Sequence, residues 1–284
     1  RLSTNNVMSE SIGIGIITCD RPDFFTKCRD SIDDNSYNHI VVVNDGNDDV
    51  VNPRAPVIKT GGREGVGKGK NKILKYLYEK GCDYMFLLED DMIMLDNSVF
   101  TKYIQAHKAS GIHHFNYGPG SPFNRKQTIE NFDLHNRHEL DQHSEPNPRL
   151  IVDYKDIKIS LFTHTVAMFS FFTREVIDKA GYIDEEFYNA WEHVDHTYRI
   201  IKEQMHPPFW YFADIYDSHK YMTEAPDAID KSSIAGDSEQ WKKNVYGGRE
   251  IYKRKHGHYP NMPPHTTKEE VLQTLKQIKN DYSK

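Results

Sequence analysis

The chain of 284 residues has only three cysteines, no long apolar run and no surplus of basic residues. Cys19, Cys28 and Cys82 are odd in number and far apart, which excludes a disulfide framework or a metal clip and predicts reduced structural thiols. No segment approaches the roughly 20 apolar residues that cross a bilayer, and the N-terminal stretch lacks the apolar middle of a signal peptide. We therefore expect a cytoplasmic protein without a transmembrane segment, and peripheral membrane contact stays open.

The charge balance, with 36 basic and 42 acidic residues, argues against broad nucleic-acid binding, because neutralising phosphates requires a surplus of Lys and Arg. One segment departs from this balance. From Lys242 to His258, basic residues interleave with Tyr246 and Tyr252. The plainer interpretation is a solvated basic helix face, and the alternative is a surface for an anionic polymer or DNA acceptor. The chain begins at Arg1 rather than Met, so it is left open that this is a module of a larger protein.

Short apolar runs alternate with helical patterns in the first 110 residues, which predicts an α/β fold whose mainly parallel sheet is flanked by helices. The predicted strands here are 12–18, 40–43, 57–59 and 83–88, and the helices are 22–32 and 71–79. Later strands are predicted at 150–154, 165–172 and 209–215, and later helices at 174–179, 192–204 and 268–282. The polar stretch 121–148 predicts a long loop over the site, which could act as a lid.

Polar residues follow three of the predicted strands where each strand ends. They are Thr18 to Arg21, Asp45, and the acids Glu89 to Asp91. Ligands of open α/β sheets bind beyond the carboxyl ends of the strands, so we expect these side chains to converge on one site.

The acids Glu89, Asp90 and Asp91 end a buried strand, where carboxylates are costly unless a cation or hydrogen-bond donors compensate them. Hard oxygen ligands of this kind suit Mn²⁺ or Mg²⁺, either of which can act as a Lewis acid. The alternative is that the acids cap the following helix or pair with Lys and Arg.

A second set of polar residues lies on the helix predicted from Glu192. Glu192, Asp195 and Arg199 share one face, and a carboxylate there could take a proton from an acceptor hydroxyl. The alternative is an acidic first helical turn with Asp195 paired to Arg199. His219 follows the strand predicted at 209–215 and could complete a metal site, although a surface histidine is the plainer interpretation.

Taken together, these segments resemble the family 2 glycosyltransferases with the GT-A fold, from about Ile12 to Ile200. VVVNDGNDD is similar to the Val-Asp-Asp-Gly-Ser turn of that family, and GVGKGKN is similar to its Gly-x-x-x-Ala-Arg-Asn segment. LLEDD resembles the metal-binding Asp-x-Asp region. The most specific stretch, VAMFSFFTREVIDKAGYIDEEFYNAWEHVDHTYRI, resembles the acceptor-side block with its aromatic-Glu-Asp motif.

The resemblance implies transfer of a sugar from a nucleotide diphosphate donor, most commonly a UDP-sugar, to a hydroxyl of a saccharide or surface polymer with inversion. It implies that residues 1–110 form the nucleotide-sugar half, 111–235 the acceptor half of the same domain, and 236–284 a helical extension. The implied nucleotide-sugar contacts are Thr18, Asp20, Arg21, Asp45, Lys70, Asn71, Glu89 and Asp90. The implied metal ligands are Asp91 and His219, and the implied catalytic residues are Glu192, His193 and Asp195.

His193 is the main departure, because the family usually has Asp at this position, often as the base. Either Glu192 takes over that role, which we favour from the sequence, or His193 acts as the base itself. Three other functions stay open. One is nucleotidyl transfer, although TCDRPDFF matches the phosphate-binding loop of such enzymes poorly. The others are sugar transfer to hydroxylated bases of phage DNA and a catalytically inactive scaffold that keeps the fold.

Overall fold

The computed structural model describes residues 10–126, 144–208, 212–228, 238–260 and 266–279. The strands are β1 Ile12–Thr18, β2 His39–Asn44, β3 Val57–Lys59, β4 Tyr84–Glu89, β5 Met92–Met94, β6 His114–Asn116, β7 Leu150–Tyr154, β8 Ile157–Phe162, β9 Phe169–Thr173, β10 Phe212–Ile215 and β11 Met222–Glu224. The α-helices are α1 Pro22–Asp30, α2 Val66–Glu79, α3 Ser98–Ser110, α4 Arg174–Ala180, α5 Glu192–Lys202, α6 Ser238–His256 and α7 Lys268–Ile278.

A six-stranded sheet in the order β3-β2-β1-β4-β9-β6 forms the centre. β1 runs parallel to β2 and β4, β2 runs parallel to β3, and β9 runs antiparallel to β4 and β6. This confirms the predicted mainly parallel sheet. A three-stranded antiparallel sheet, β10-β8-β7, and a two-stranded one, β11-β5, lie beside it. No helix in the described ranges is long and apolar enough to span a membrane.

The central strands are continuous apolar runs because helices cover both faces of the sheet. On one face, Ile16 and Phe86 pack in a cluster with residues of α1, α3 and α7. On the other face, Val43 and Leu87 pack with residues of α2, α4 and α5. Successive side chains of a strand point to opposite faces, so burial on both sides requires apolar residues at nearly every position.

Helix α2 begins at Val66, five residues before the predicted start at Asn71. The glycines of this first turn and a half were interpreted as part of a loop, but close packing explains them. A Cβ atom at Gly69 would lie 2.3 Å from Ile17 Cδ1, and one at Gly67 would lie 2.9 Å from the carbonyl oxygen of Phe187. The absence of side chains lets α2 approach the sheet and the segment before α5.

The short strands β5, β6, β8 and β11 escaped prediction, and β9 begins at Phe169 rather than Thr165. Just before β9, Ala167 has a φ of 54°, a left-handed conformation outside the extended region that strand residues adopt. Most of the predicted loop at 121–148, with its predicted role as a lid, lies outside the described residues, as do the first three residues of the strand predicted at 209–215 and the end of the last helix. The proposed division at residues 110 and 235 stays a prediction.

Candidate functional site

A cleft opens at the carboxyl ends of β1, β2 and β4. The structure brings together there most of the residues predicted from strand ends. The lining residues include Thr18, Arg21, Asp45, Glu89, Asp90 and Asp91.

Asp90 lies at the base of this cleft and is 1% exposed. It accepts a hydrogen bond of 2.7 Å from Thr18 Oγ1 and one from the guanidinium of Arg21. Burial raises the pKa of Asp90 to about 7 although the Arg21 charge acts in the opposite direction. Thr18, Arg21 and Asp90 therefore hold each other in place across β1 and β4.

Asp91 has one engaged carboxylate oxygen and one that is not. Its Oδ2 lies 3.0 Å from the Arg21 guanidinium, whereas the buried Oδ1 accepts no hydrogen bond from any described residue. An orphaned buried carboxylate oxygen fits a metal ligand, because a cation would compensate its desolvation. Within the described ranges, however, no three His, Cys, Asp or Glu residues form a metal-binding cluster. The chain thus offers an ion a partial ligand set, which oxygens of a bound ligand would have to complete.

Asp45 holds the turn that leads into α2. It accepts hydrogen bonds from Thr60 Oγ1 at 2.6 Å, from Glu64 N at 2.9 Å and from Gly65 N at 3.0 Å. Gly65 and Val66, at the start of α2, line the cleft. The positive end of this helix dipole therefore faces the cleft, an arrangement that favours bound anions.

Asp20 supports the cleft from one side rather than lining it. Its carboxylate accepts backbone hydrogen bonds from Asn47 and Asp48, at 2.6 and 3.0 Å, and pairs with Arg63 at 3.0 Å. Burial raises the pKa of Asp20, but these hydrogen bonds outweigh it and the net shift is downward. Asp20 thereby orients Arg63, which lines the cleft.

Lys70 is a buried ammonium that links the two predicted groups of acids. Its Nζ lies 3.0 Å from Glu89 Oε1 and 3.4 Å from Glu192 Oε1. Burial lowers the pKa of Lys70, yet the two carboxylates outweigh that effect and raise it. Lys70 therefore stays charged and compensates both the buried carboxylate of Glu192 and that of Glu89, which lines the cleft.

Glu192 and His193 form a pair at the first turn of α5. Glu192 is 4% exposed, and its Oε1 lies 3.3 Å from His193 Nδ1. Burial raises the pKa of Glu192, but the charges of His193 and Lys70 outweigh it and lower the pKa to about 2. The His193 side chain is more accessible, at 19% exposure. Glu192 is thus a weak proton acceptor, and it is placed to orient the imidazole.

The lining of the cleft also does not include five other predicted site residues, namely Lys70, Asn71, Glu192, His193 and Asp195. Two of them, Asn71 and Asp195, are engaged inside the protein. Asn71 donates to Ile183 O at 2.7 Å and to Glu185 Oε1 at 2.9 Å, and accepts from Ile183 N at 2.9 Å. Asp195, 1% exposed, pairs with Arg199 at 2.9 Å, as the structural alternative from the sequence held. Both therefore fasten α2 and α5 to their neighbours.

His219 lies at a different cavity, which is lined by segments around Pro119, Pro146 and Tyr216. Its Nε2 is 4.0 Å from Glu145 Oε2, and its buried Nδ1 has no partner among the described residues. Asp91 does not line this cavity. The structure thus does not bring the two predicted metal ligands together in one cavity.

Three polar or aromatic side chains of the cleft were not predicted from the sequence: Arg63, Tyr188 and Asn189. The Tyr188 hydroxyl donates to Arg63 O at 2.6 Å, and Asn189 Oδ1 accepts from Val66 N at 3.0 Å at the start of α2. Arg63 stands in the glycine-rich segment, and Tyr188 and Asn189 stand in the acceptor-side block. Both segments carry motifs that were identified in the sequence, but the spacing of residues within them does not reveal which side chains face the cleft.

The basic segment from Lys242 to His258 forms most of α6, and several of its cations have partners within the chain. Arg254 pairs with Glu186, and Lys255 pairs with Asp184 and Glu186. Arg249 and Lys253 lie over the ring of Tyr259, at 5.0 and 4.5 Å from its centroid. These contacts agree better with a helix fastened to the body than with a surface for anionic polymers.

Among solved structures, the fold is similar to that of S. aureus TarS 1–349 in complex with UDP-GlcNAc, with a TM-score of 0.51 and 10% identity over 95% of this chain and 72% of that chain. A second structure of TarS 1–349 has a TM-score of 0.48 and 11% identity, over 94% of this chain and 80% of that chain. The third structure is the mannosyltransferase PcManGT from Pyrobaculum calidifontis in complex with GDP-Man and Mn²⁺. Its TM-score is 0.46 and its identity 9%, over 94% of this chain and 73% of that chain. No protein-family model matches the chain, and no curated protein matches it in sequence.

The likeness to TarS confirms the predicted fold class, a mixed and mainly parallel α/β sheet flanked by helices. Membership of glycosyltransferase family 2 stays a prediction, because no family model supports it.

Proposed function

We propose that the protein is a metal-dependent glycosyltransferase that moves a sugar from a nucleotide diphosphate donor to an acceptor hydroxyl. The observation that carries this proposal is the orphaned Oδ1 of Asp91 in a cleft that also presents Arg21, Arg63 and the positive end of α2. A carboxylate oxygen for a divalent cation beside cationic groups for phosphates suits a metal-bound diphosphate.

Asp91 would hold Mn²⁺ or Mg²⁺ together with oxygens of the donor diphosphate. When bound, the ion would act as a Lewis acid for the charge that develops on the leaving diphosphate. Arg21 would balance Asp90 and Asp91 before donor binding, and Thr18, Asp45, Glu89 and Asp90 would contact the nucleotide or sugar. His219 could join the ion only after a rearrangement, so we assign it no role in the described state.

A UDP-sugar is the donor we propose. The support is the likeness in fold to TarS, which was solved with UDP-GlcNAc, and the resemblance of the sequence motifs. Tyr188, in the same cleft, offers an exposed aromatic ring that a base or sugar could stack against.

His193 is the base we propose for the acceptor hydroxyl, with Glu192 as its orienting partner. This reverses the preference drawn from the sequence. Glu192 is the poorer candidate, because its buried carboxylate already pairs with Lys70 Nζ at 3.4 Å and with His193 Nδ1 at 3.3 Å, whereas the His193 side chain is 19% exposed. An imidazole whose Nδ1 is held by a carboxylate keeps its other ring nitrogen available for the proton. In-line displacement by the activated hydroxyl would invert the anomeric centre.

The acceptor we propose is a saccharide hydroxyl. The alternative of an anionic polymer or DNA bound through residues 242–258 has less support, since Arg254 and Lys255 form ion pairs within the chain.

The decisive experiment is calorimetric titration of UDP, GDP and CMP into the protein with and without Mn²⁺, repeated on Asp91→Ala. We expect one nucleotide, UDP, to bind only with the metal, and this binding to disappear in the variant. Donor hydrolysis or transfer should show the same dependence. If no nucleotide binds in either condition, the protein is not a transferase of this type and an inactive scaffold becomes the better explanation.

A further inference from the structure

Helix α6 packs against the residues that immediately precede the proposed base. A Cβ atom added at Gly248 would lie 2.8 Å from Trp191 Cδ1 and 2.9 Å from the carbonyl oxygen of Ala190. Real Cβ atoms essentially never approach other atoms this closely, so the glycine allows a contact that any other residue would push apart. A hydrogen bond also joins α6 to this segment, in which Trp191 Nε1 donates to the carbonyl oxygen of Val245 at 3.0 Å.

Trp191 has a backbone conformation that needs this support. Its φ of 70° and ψ of −1° lie in the left-handed region, which is strained for a bulky residue and persists only where the surroundings hold it. The next two residues are Glu192 and His193. The direction in which α5 starts, and hence the position of both side chains, depends on how Trp191 is held.

A second link between α6 and α5 lies one helical turn further along α5, at Asp195. His256 Nε2 is 2.7 Å from Asp195 Oδ1, and both side chains are almost fully buried, at 6% and 1% exposure. The other oxygen of Asp195 accepts from Arg199 Nε at 2.9 Å. Asp195 thus joins α6 to α5, and its contacts explain its burial without a catalytic role.

We propose that α6 is a positioning element for catalysis, in which Gly248 and the Asp195–His256 pair hold Trp191 and the first turn of α5 so that Glu192 and His193 face the acceptor. This inference rests on the proposed function, since it assigns the positioning of the base. Asp195 becomes a positioning residue rather than a catalytic one.

The test compares Gly248→Ala with Gly247→Ala in the full chain. The two glycines are neighbours in α6, and a Cβ atom at Gly247 would meet nothing within 4 Å, so both variants gain the same helix propensity. We expect Gly248→Ala to lower kcat about tenfold to a hundredfold, since small misplacements of reacting groups have such effects. Calorimetric UDP affinity in Mn²⁺ should change less than twofold, and Gly247→Ala should keep the kcat of the natural protein.

Equal kcat in the two glycine variants would overturn the inference while leaving the proposed function intact. If the unmodified protein transfers no sugar, the proposed function fails, and hydrogen exchange then tests the contact alone. Amides of residues 191–196 should exchange faster in Gly248→Ala than in Gly247→Ala, and equal exchange would also overturn the inference.

If Gly248→Ala does not fold, His256→Ala should lower kcat with UDP affinity retained, and His256→Gln, which keeps a donor, should recover part of the lost kcat. No loss in His256→Ala would count against the inference.

Discussion

The two acidic groups of this protein, at the end of β4 and at the start of α5, look alike in sequence but differ in their partners. At β4, the Oδ1 atom of Asp91 is left without a hydrogen bond from any described residue beside a cleft. At α5, Glu192 and Asp195 are paired with Lys70, His193, Arg199 and His256. Asp195 is held by partners from its own chain and fastens α5, whereas Asp91 keeps an open oxygen that can serve a ligand.

The largest expected effect is on Asp91. We expect Asp91→Asn to lower sugar transfer on the order of 10³-fold, because a metal contributes several kcal/mol to charge stabilisation. Thermal unfolding should change little, because the amide oxygen of Asn can still accept from Arg21, which also keeps its pair with Asp90, and Oδ1 has no partner among the described residues to lose. Asp195→Asn should instead lower the melting temperature and retain metal-dependent UDP binding, with a loss of transfer that comes from kcat alone. If both variants lose UDP binding alike, the contrast between the two groups is wrong.

The ion pair that links the groups gives the next effect, on stability. Lys70→Met removes the shared cation of Glu89 and Glu192, and stranding buried charges in this way lowers the free energy of unfolding by about 3–5 kcal/mol. Urea denaturation measures the loss. Lys68→Met, on the exposed side of the same helix, is the matched control and should stay within about 0.5 kcal/mol. An equal response of the two variants would show that the buried pair contributes nothing.

Lowering the pH should reduce the stability of the region around α5, because two of its histidines are buried. Burial lowers the pKa of His196 to about 3 and that of His206 to about 4, from 6.5. The unfolded chain therefore binds these protons first, so the stability they contribute is present above about pH 6.5 and is lost as the pH falls towards 4 and 3. Urea midpoints measured from pH 7 to 4.5 should decline, and less steeply in His206→Gln. A midpoint independent of pH would contradict this.

The smallest effect should come from Tyr188. Tyr188→Phe removes the hydrogen bond to Arg63 O and keeps the ring, so it should cost about 1 kcal/mol, or roughly a fivefold rise in the Kd of UDP with Mn²⁺. Tyr246→Phe, at an exposed tyrosine of α6, is the control. A Kd unchanged in Tyr188→Phe would place this hydroxyl outside the donor site.

Sequence patterns could predict the central sheet because the relevant information is local. β1, β2 and β4 are runs of apolar residues, and their polar ends converge by the geometry of parallel strands. The partners of each acid could not be predicted in the same way. Lys70 is 122 residues from Glu192 and Asp195 is 61 residues from His256, and helical spacing alone could reveal only the pair of Asp195 with Arg199.

The start of α2 shows a second limit. Glycines in sequence indicate a loop as readily as a close helix contact, and only the position of Ile17 against Gly69 distinguishes the two. For the same reason Arg63 and Tyr188 could not be recognised as cleft residues, because their orientation depends on left-handed and turn conformations far apart in the chain.

Strand β5 follows Asp91 directly and pairs with β11, and Ala225 N donates to the carbonyl oxygen of Asp91 at 2.7 Å. The backbone around this carboxylate is therefore completed by residues about 130 positions later in the sequence. Contacts of such long sequence separation form slowly. During synthesis the central sheet can assemble well before β11 has left the ribosome, so the backbone around Asp91 is completed only late in folding.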